Sequence, residues 1–179
     1  KFDQSIFVLA ILTTVSFQVL SNFANDYGDG VKGTDNQDRI GPKRGLQSGQ
    51  INPKKMRNAI WVCSLVSLML TLSLVYVSFR SNFLMALFFT ALGTLAIAAA
   101  IFYTVGSKAY GYKRLGDVFV FVFFGLVSVL GSYYLFAKTL ELTLILPATA
   151  VGFLSVAVLN LNNMRDVKND HNFGKITLA

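Results

Sequence analysis

The chain has 179 residues, of which 54% are hydrophobic and only 14% charged, and its formal net charge is +7. A mean hydropathy of +0.55 excludes an ordinary soluble domain, which carries far more charged surface. The single cysteine, Cys63, excludes an intrachain disulfide scaffold. The basic residues are not clustered with exposed aromatic residues, so nucleic acid is not an expected partner, whereas anionic lipid or an anionic substrate is.

Five long apolar runs alternate with polar loops along the chain. Each run is near the ~20 residues that a helix needs to cross a bilayer, and none alternates as a transmembrane β-strand does. Because backbone groups must be satisfied within lipid, we predict an all-α, polytopic transmembrane bundle. The predicted spans are residues 7–24, 59–79, 83–104, 118–136 and 142–161.

The basic residues are distributed unevenly between the two sides of this predicted bundle. The loops 25–57 and 105–116 and the segment after residue 161 are separated by even numbers of spans, so they lie on one side. They contain 13 of the 16 Lys and Arg residues, against Lys1, Arg80 and Lys138 on the other side. The positive-inside rule therefore predicts that these three segments are cytoplasmic, in the cell (inner) membrane.

The first polar segment concentrates oxygen donors at the end of the first span. Asn22, Asp26 and Asp29 share a face if the helix continues through them, and Asn25 is four residues before Asp29. Asp35 and Asp38 follow in the loop. Mg²⁺ prefers oxygen ligands and usually takes one or two carboxylates together with phosphate oxygens and water. A solvated loop would explain a single Asp, but this pattern favours a Mg²⁺ site.

A second group of the same kind follows the fifth span, in what we interpret as the last loop. Asp166 and Asp170 are four residues apart, and Asn162 and Asn163 precede them by one turn. Both groups lie on the same predicted side of the membrane. Two such groups at one level are harder to attribute to chance than one, so we predict a shared metal site.

Several familiar motifs fail in this sequence. The segment 28–33 matches G-x-G-x-x-G, but it follows an apolar span rather than a strand, which argues against a dinucleotide site. We interpret its glycines as permitting a tight backbone turn near a ligand. The acidic loop also departs from the EF-hand pattern, with Gly28 at its third position. His171 is the only histidine, so a histidine-based site is excluded within this chain.

Basic side chains in the same segments form a third element. They fit either topology and lipid contact or the binding of an anionic group such as a diphosphate. Asp117, at the start of the fourth span, is interpreted as either a helix N-cap or a site residue. The candidate anion-binding residues are Lys43, Arg44, Lys108, Lys113, Arg114 and Arg165.

These motifs resemble the two signature motifs of UbiA-type intramembrane prenyltransferases. The resemblance rests on Asn25-Asp-x-x-Asp29 and Asp166-x-x-x-Asp170 with four spans between them, and it runs from about Leu20 to the C-terminus. The strings NDYGDGVKGTD (25–35), DRIGP (38–42), YTVG (103–106), YGY (110–112) and NNMRD (162–166) are similar to the 1,4-dihydroxy-2-naphthoate polyprenyltransferase branch.

Two departures from the general superfamily pattern agree with that branch. Gly33 stands where many members have a third aspartate, which leaves the ligand role of Asp35 open. Asparagines replace an Asp-x-x-Tyr-Ala sequence before the second motif. The family fold implies nine spans, so we expect a single domain that is incomplete at both ends and contains spans two to six.

The resemblance implies Mg²⁺-dependent transfer of a polyprenyl chain from its diphosphate to 1,4-dihydroxy-2-naphthoate, with decarboxylation, in menaquinone biosynthesis. Asp29, Asp166 and Asp170 are the expected catalytic residues. Another aromatic acid acceptor, such as 4-hydroxybenzoate, and an ion-coupled transporter are the alternatives that remain. The oligomeric state is not predicted. The expected metal ligands are Asn22, Asn25, Asp26, Asp29, Asp35, Asn162, Asn163, Asp166 and Asp170.

Overall fold

The structure, a computed structural model, describes residues 2–37 and 40–179. Lys1, Asp38 and Arg39 lie outside the described residues, so the Asp38 of the first acidic segment is not placed. Five long helices contain most of the described chain. They are α1 (Gln4–Lys32), α2 (Pro53–Phe79), α3 (Phe83–Phe102), α4 (Gly116–Ala137) and α5 (Ile145–Asn172).

Local sequence signals explain where these helices begin. The Asp3 carboxylate caps α1 by accepting from the backbone N–H groups of Ser5 and Ile6. Asn52 caps α2 in the same way, and Pro53 follows it at the first helical position, where a missing N–H costs nothing. A 3₁₀ turn, Leu142–Leu144, leads into α5, and α4 includes a π-helical segment, Phe121–Val127.

The all-α prediction is confirmed. All five helices are long and apolar enough to cross a membrane, and in the described ranges strand-like pairing is limited to one bridge, between Lys113 and Ile176. Large apolar side chains face outward along them, including Trp61 (72% exposed) and Leu146 (76% exposed). Apolar side chains on the outside are stable where lipid is the solvent. The chain is therefore a multi-pass membrane protein.

The helices pack in two connected groups. α1 packs along α2 and α3 and touches the end of α4, while α5 packs along α4. At the crossing of α4 and α5, Gly125 lies so close to Gly152 that an added Cβ would sit 2.6 Å from the Gly152 Cα. A cluster containing Ile6, Leu74 and Phe79 fills the end of the bundle where the chain enters α1.

Two helices continue beyond the C-terminal ends of their predicted spans and into the acidic motifs. α1 continues through the first acidic motif to Lys32, where Gly33 ends it with a left-handed φ of 78°. α5 continues to Asn172, so the second motif is helical rather than part of a loop. The interpretation of the glycine-rich segment as a tight turn is therefore wrong for Gly28 and Gly30, which lie inside α1. Hydropathy marks the lipid-facing part of a helix, not the helix end.

Candidate functional site

The last turn of α1 places Asp29 in the interior at one end of the bundle. Asp29 is 4% exposed, and its Oδ1 atom accepts a 2.8 Å hydrogen bond from the Tyr112 hydroxyl. Tyr112 comes from the short 3₁₀ turn Tyr110–Tyr112 between α3 and α4. A second 2.7 Å hydrogen bond joins the Tyr112 hydroxyl to that of Thr34, which is also buried.

The protonation of Tyr112 determines the direction of these two bonds. Burial raises the pKa of Tyr112 above its usual value, and the negative charge of Asp29 raises that pKa further. The phenol therefore keeps its single proton at neutral pH and donates it to Asp29. The Thr34 hydroxyl must then donate to the Tyr112 oxygen.

The second motif places Asp170 next to Asp29 in space. Asp170 lies in the last turn of α5 and is 4% exposed. The Nζ atom of Lys175 lies 3.1 Å from Asp170 Oδ2 and 3.9 Å from Asp29 Oδ2, so one ammonium group serves both carboxylates. We call Asp29 and Asp170 the carboxylate pair. Its existence shows that the two motifs meet at one end of the bundle, as the sequence predicted.

Amide contacts hold the two motif segments together beside this pair. The Asn36 amide donates a 2.8 Å hydrogen bond to the side-chain oxygen of Asn169, and the Asn169 amide donates to the backbone oxygen of Thr34. Asn36 follows the first motif, whereas Asn169 lies between Asp166 and Asp170. The loop after α1 and the end of α5 are thus directly connected.

The remaining predicted carboxylates have partners of their own. Asp26 accepts from the backbone N–H groups of Gly45 and Leu46, at 3.0 and 3.2 Å, and so anchors the following loop. Arg44 Nε lies 3.2 Å from Asp35 Oδ2. Arg165 donates two hydrogen bonds to Asp166, of 3.1 and 2.7 Å.

The predicted asparagine ligands are dispersed. Asn22 and Asn162 are exposed, and each donates to a backbone oxygen one turn earlier in its own helix. Asn25 Oδ1 is 3.4 Å from the Thr104 hydroxyl. Asn163 is buried and lines a small cavity with Tyr103. Among the residues that the structure describes, no three acidic, histidine or cysteine side chains are grouped as a metal site.

The predicted anion-binding residues fall into two groups, two arginines that are paired with carboxylates and four residues that are exposed. Arg44 and Arg165 lie against Asp35 and Asp166, as described above. Asp117, left open as a cap or a site residue, accepts from the Asn160 amide at 3.2 Å and is not the N-cap of α4, which is Leu115. The other four basic residues are exposed, namely Lys43, Lys108, Lys113 and Arg114.

Sequence reasoning did not select two cations and a tyrosine that surround the carboxylate pair. Lys175 bridges the pair, and Lys32 stacks 3.9 Å above the Tyr112 ring while donating to the Thr104 backbone oxygen. The sequence signal that could have found Lys175 is the glycine directly before it. In the structure this Gly174 has a left-handed φ of 70°, and it turns the chain back toward the end of α5. Nothing in the spacing marked Tyr112 as a partner of Asp29.

The carboxylate pair fits a metal cation chemically. Each member lies in the last turn of its helix, where the helix dipole adds partial negative charge. Both Oδ2 atoms approach a single cationic atom, Lys175 Nζ. Two buried carboxylates that face one point favour a cation there, and carboxylate oxygens are ligands that hard divalent cations accept.

Comparison with known proteins agrees with these motifs. The model of the UbiA prenyltransferase family matches residues 1–179. A 1,4-dihydroxy-2-naphthoate octaprenyltransferase of Escherichia coli K12 is 51% identical over 99% of this chain and 58% of its own length. Proteins of the same name from Haemophilus influenzae Rd and Mycobacterium tuberculosis H37Rv are 49% and 40% identical, over 99% and 96% of this chain and 58% and 56% of theirs.

The chain thus spans somewhat more than half the length of the curated relatives it matches. No solved structure matches it significantly. Enzymes of the matched family generally depend on a metal ion, in keeping with the charge of the carboxylate pair. The family model covers the whole chain, and both acidic motifs that carried the resemblance meet in the structure. The chain belongs to the UbiA prenyltransferase family.

Proposed function

We propose that the complete protein transfers a polyprenyl chain from its diphosphate to 1,4-dihydroxy-2-naphthoate, with loss of CO₂, as a step in menaquinone biosynthesis. The observation that carries this proposal is the meeting of Asp29 and Asp170 at one cationic point, at the end of an apolar bundle. The names of relatives that are 40–51% identical support the choice of acceptor.

The proposed reaction needs no nucleophile from the protein. The allylic C–O bond of the donor breaks and its electron pair leaves with the diphosphate. A ring carbon of the acceptor forms the new C–C bond, and departure of the carboxylate as CO₂ returns an electron pair to the ring. The demanding part is stabilising the negative charge that develops on the diphosphate, which preorganised charges achieve well.

Asp29 and Asp170 are the residues that would hold Mg²⁺, with Asp166 the nearest further carboxylate on α5. When bound, Mg²⁺ supplies positive charge next to the leaving diphosphate. Tyr112 keeps Asp29 oriented through its 2.8 Å hydrogen bond, and Lys32 and Lys175 contribute fixed positive charge nearby. The outward apolar helices would accept the polyprenyl tail in the bilayer, and we place the site on the cytoplasmic side of the inner membrane.

The test uses the full-length protein in detergent with a polyprenyl diphosphate, Mg²⁺ and either 1,4-dihydroxy-2-naphthoate or 4-hydroxybenzoate. We expect the prenylated naphthol and CO₂ to form together, and each to depend on Mg²⁺. If the protein prenylates 4-hydroxybenzoate in preference to the naphthoate, the proposed acceptor is wrong and the protein is a 4-hydroxybenzoate prenyltransferase. Failure to consume the diphosphate with either acceptor, together with cation transport in vesicles, would favour the transporter alternative.

Substitution of the carboxylate pair is the matching prediction. Asp29→Asn and Asp170→Asn should each lower turnover by about 10²-fold, because each removes a carboxylate that would hold Mg²⁺, whose positive charge stabilises the leaving diphosphate. Asp3→Asn is the control, since Asp3 caps the opposite end of α1 and asparagine caps equally well. Near-normal turnover in both site variants at limiting Mg²⁺ would contradict the assignment.

A further inference from the structure

Lys175 is positioned by backbone contacts that are independent of its charge. Its N–H donates a 2.9 Å hydrogen bond to the Asp170 backbone oxygen, directly after the left-handed Gly174. The next residue, Ile176, donates its backbone N–H to the Tyr112 backbone oxygen at 3.3 Å, and its own backbone oxygen accepts from the Arg114 N–H at 3.0 Å. The chain after α5 is therefore fastened to the loop that carries Tyr112, and the fastening delivers Lys175 to the carboxylate pair.

The surroundings of the ammonium group make its electrostatic role large. The Lys175 side chain is 12% exposed, and each side chain of the carboxylate pair is 6% exposed. Two buried carboxylates at this separation from one cation would repel each other if it were absent. Other cations near the pair are engaged elsewhere, since Lys32 donates to the Thr104 backbone oxygen and Arg165 donates to Asp166.

A divalent cation would need the same Oδ2 atoms. Like charges exclude each other from one site, and a lysine ammonium is a compact charge on a flexible stem that can move away. We propose that Lys175 is a built-in counter-ion that holds the carboxylate pair together in the metal-free protein and competes with a divalent cation for it.

This competition has a consequence that rests on the proposed function. The diphosphate of a prenyl donor would offer the Lys175 ammonium a new anionic partner and thereby release the carboxylate pair. Donor and metal would then bind with positive coupling, each raising the affinity for the other. Without the donor, Lys175 keeps metal affinity low.

The competition can be measured without catalysis. Full-length protein in detergent is titrated with Mn²⁺, without prenyl donor, and bound Mn²⁺ is followed by electron paramagnetic resonance. Lys175→Met should bind Mn²⁺ about tenfold more tightly than the wild type, in the range of typical coupling between two sites. Lys168→Met is the matched control, because Lys168 is an exposed lysine on α5, the helix that carries Asp170, and this variant should bind Mn²⁺ as the wild type does. Asp170→Asn identifies the Mn²⁺ signal that belongs to this site.

Thermal unfolding provides the second measurement. Metal-free Lys175→Met should melt at a lower temperature than the metal-free wild type. Mn²⁺ should raise the melting temperature of this variant by more than it raises that of the wild type. Lys175→Gln, which keeps most of the side-chain length without the charge, should show the same two changes. The proposal is overturned if the folded variants bind Mn²⁺ no more tightly than the wild type, or if neither shows an Asp170-dependent signal. Prenyl transfer, assayed separately, tests the proposed function on its own.

Discussion

Asp26 and Asp29 illustrate how much the role of a side chain depends on its neighbours. They are three residues apart on α1, yet Asp26 binds two backbone N–H groups of the next loop, whereas Asp29 faces Tyr112 and Lys175. Helical spacing alone treated them as equivalent ligands. Asp26 therefore stabilises the loop after α1 in this structure, and Asp29 is the member of the first motif that meets the second.

Removing the Tyr112 hydroxyl group tests whether its hydrogen bond stabilises and orients Asp29. Tyr112→Phe deletes the donor to Asp29 and the acceptor for the buried Thr34 hydroxyl. We expect a loss of about 1–3 kcal/mol in stability, since buried polar groups then lack partners. Turnover should also fall, because Asp29 loses its fixed orientation. Melting temperature and prenyl transfer of the full-length variant are the measurements.

Tyr76→Phe is the control for that variant, because Tyr76 is 75% exposed on α2. Wild-type stability and turnover in Tyr112→Phe would show that the hydrogen bond to Asp29 has no functional weight.

The raised pKa of Tyr112 adds an expectation about pH. Its hydroxyl should remain a donor throughout the neutral range, so its contribution should not vary with pH there.

At the scale of helices, α1 lies very close to the chain that follows α3, beside the site. A Cβ atom added to Gly28 would lie 2.5 Å from the Thr104 hydroxyl oxygen and 2.7 Å from the Thr104 backbone carbon. Thr104 is buried, and its hydroxyl donates to the Ala24 oxygen on α1 at 2.9 Å. The glycine thus serves helix packing, where the sequence suggested a tight backbone turn near a ligand.

Two alanine substitutions separate packing from helix propensity. Alanine normally stabilises a helix interior relative to glycine by about 1 kcal/mol. Gly28→Ala should nevertheless destabilise the protein by about 1–3 kcal/mol, because the new methyl group meets backbone atoms that cannot move away. In Gly30→Ala the nearest atoms to the new methyl group belong to the Leu46 side chain, whose Cδ2 atom at 2.4 Å can rotate away, so this substitution should cost less than Gly28→Ala. Equal melting temperatures for the two variants would contradict this account.

At the scale of the whole molecule, polar and apolar contacts occupy opposite ends of the bundle. The buried carboxylates lie at one end, and the apolar cluster around Phe79 lies at the other. Contacts between Asp29, Asp170 and the loop carrying Tyr112 show that the three basic segments share one end. That arrangement agrees with the even number of predicted spans between them.

Cysteine labelling should determine which side of the membrane this end faces. In a cysteine-free background of the full-length protein, which includes Cys63→Ser, cysteines at Gln50, Ser107 and Asn172 should react only from the cytoplasm. All three positions are exposed, whereas the buried Ala109 would label poorly. Cysteines at Ser81 and Thr139 should react only from the opposite side. Labelling of any of the first three from that opposite side would contradict the predicted orientation.

The sequence by itself determined the class of protein and the level at which its chemistry lies. A long apolar run in lipid is stable only in a few backbone structures, so hydropathy alone predicted five membrane-spanning helices. It also predicted that an even number of spans separates the three polar segments. The two acidic motifs were visible for a different reason, because carboxylates and asparagines recur in them at spacings of three and four residues. The family resemblance rested only on several short sequence motifs that occur in the expected order along the chain, and the family model confirmed it.

Tertiary structure decided which of those carboxylates face each other. The sequence offered nine candidate metal ligands, but it could not show that side-chain direction and loop contacts turn Asp26, Asp35 and Asp166 toward other partners. Lys175 and Tyr112 reach Asp29 from far along the chain, through the bridge between Lys113 and Ile176 and the turn after Gly174. Such long-range contacts depend on packing in three dimensions, and local spacing carries no information about them.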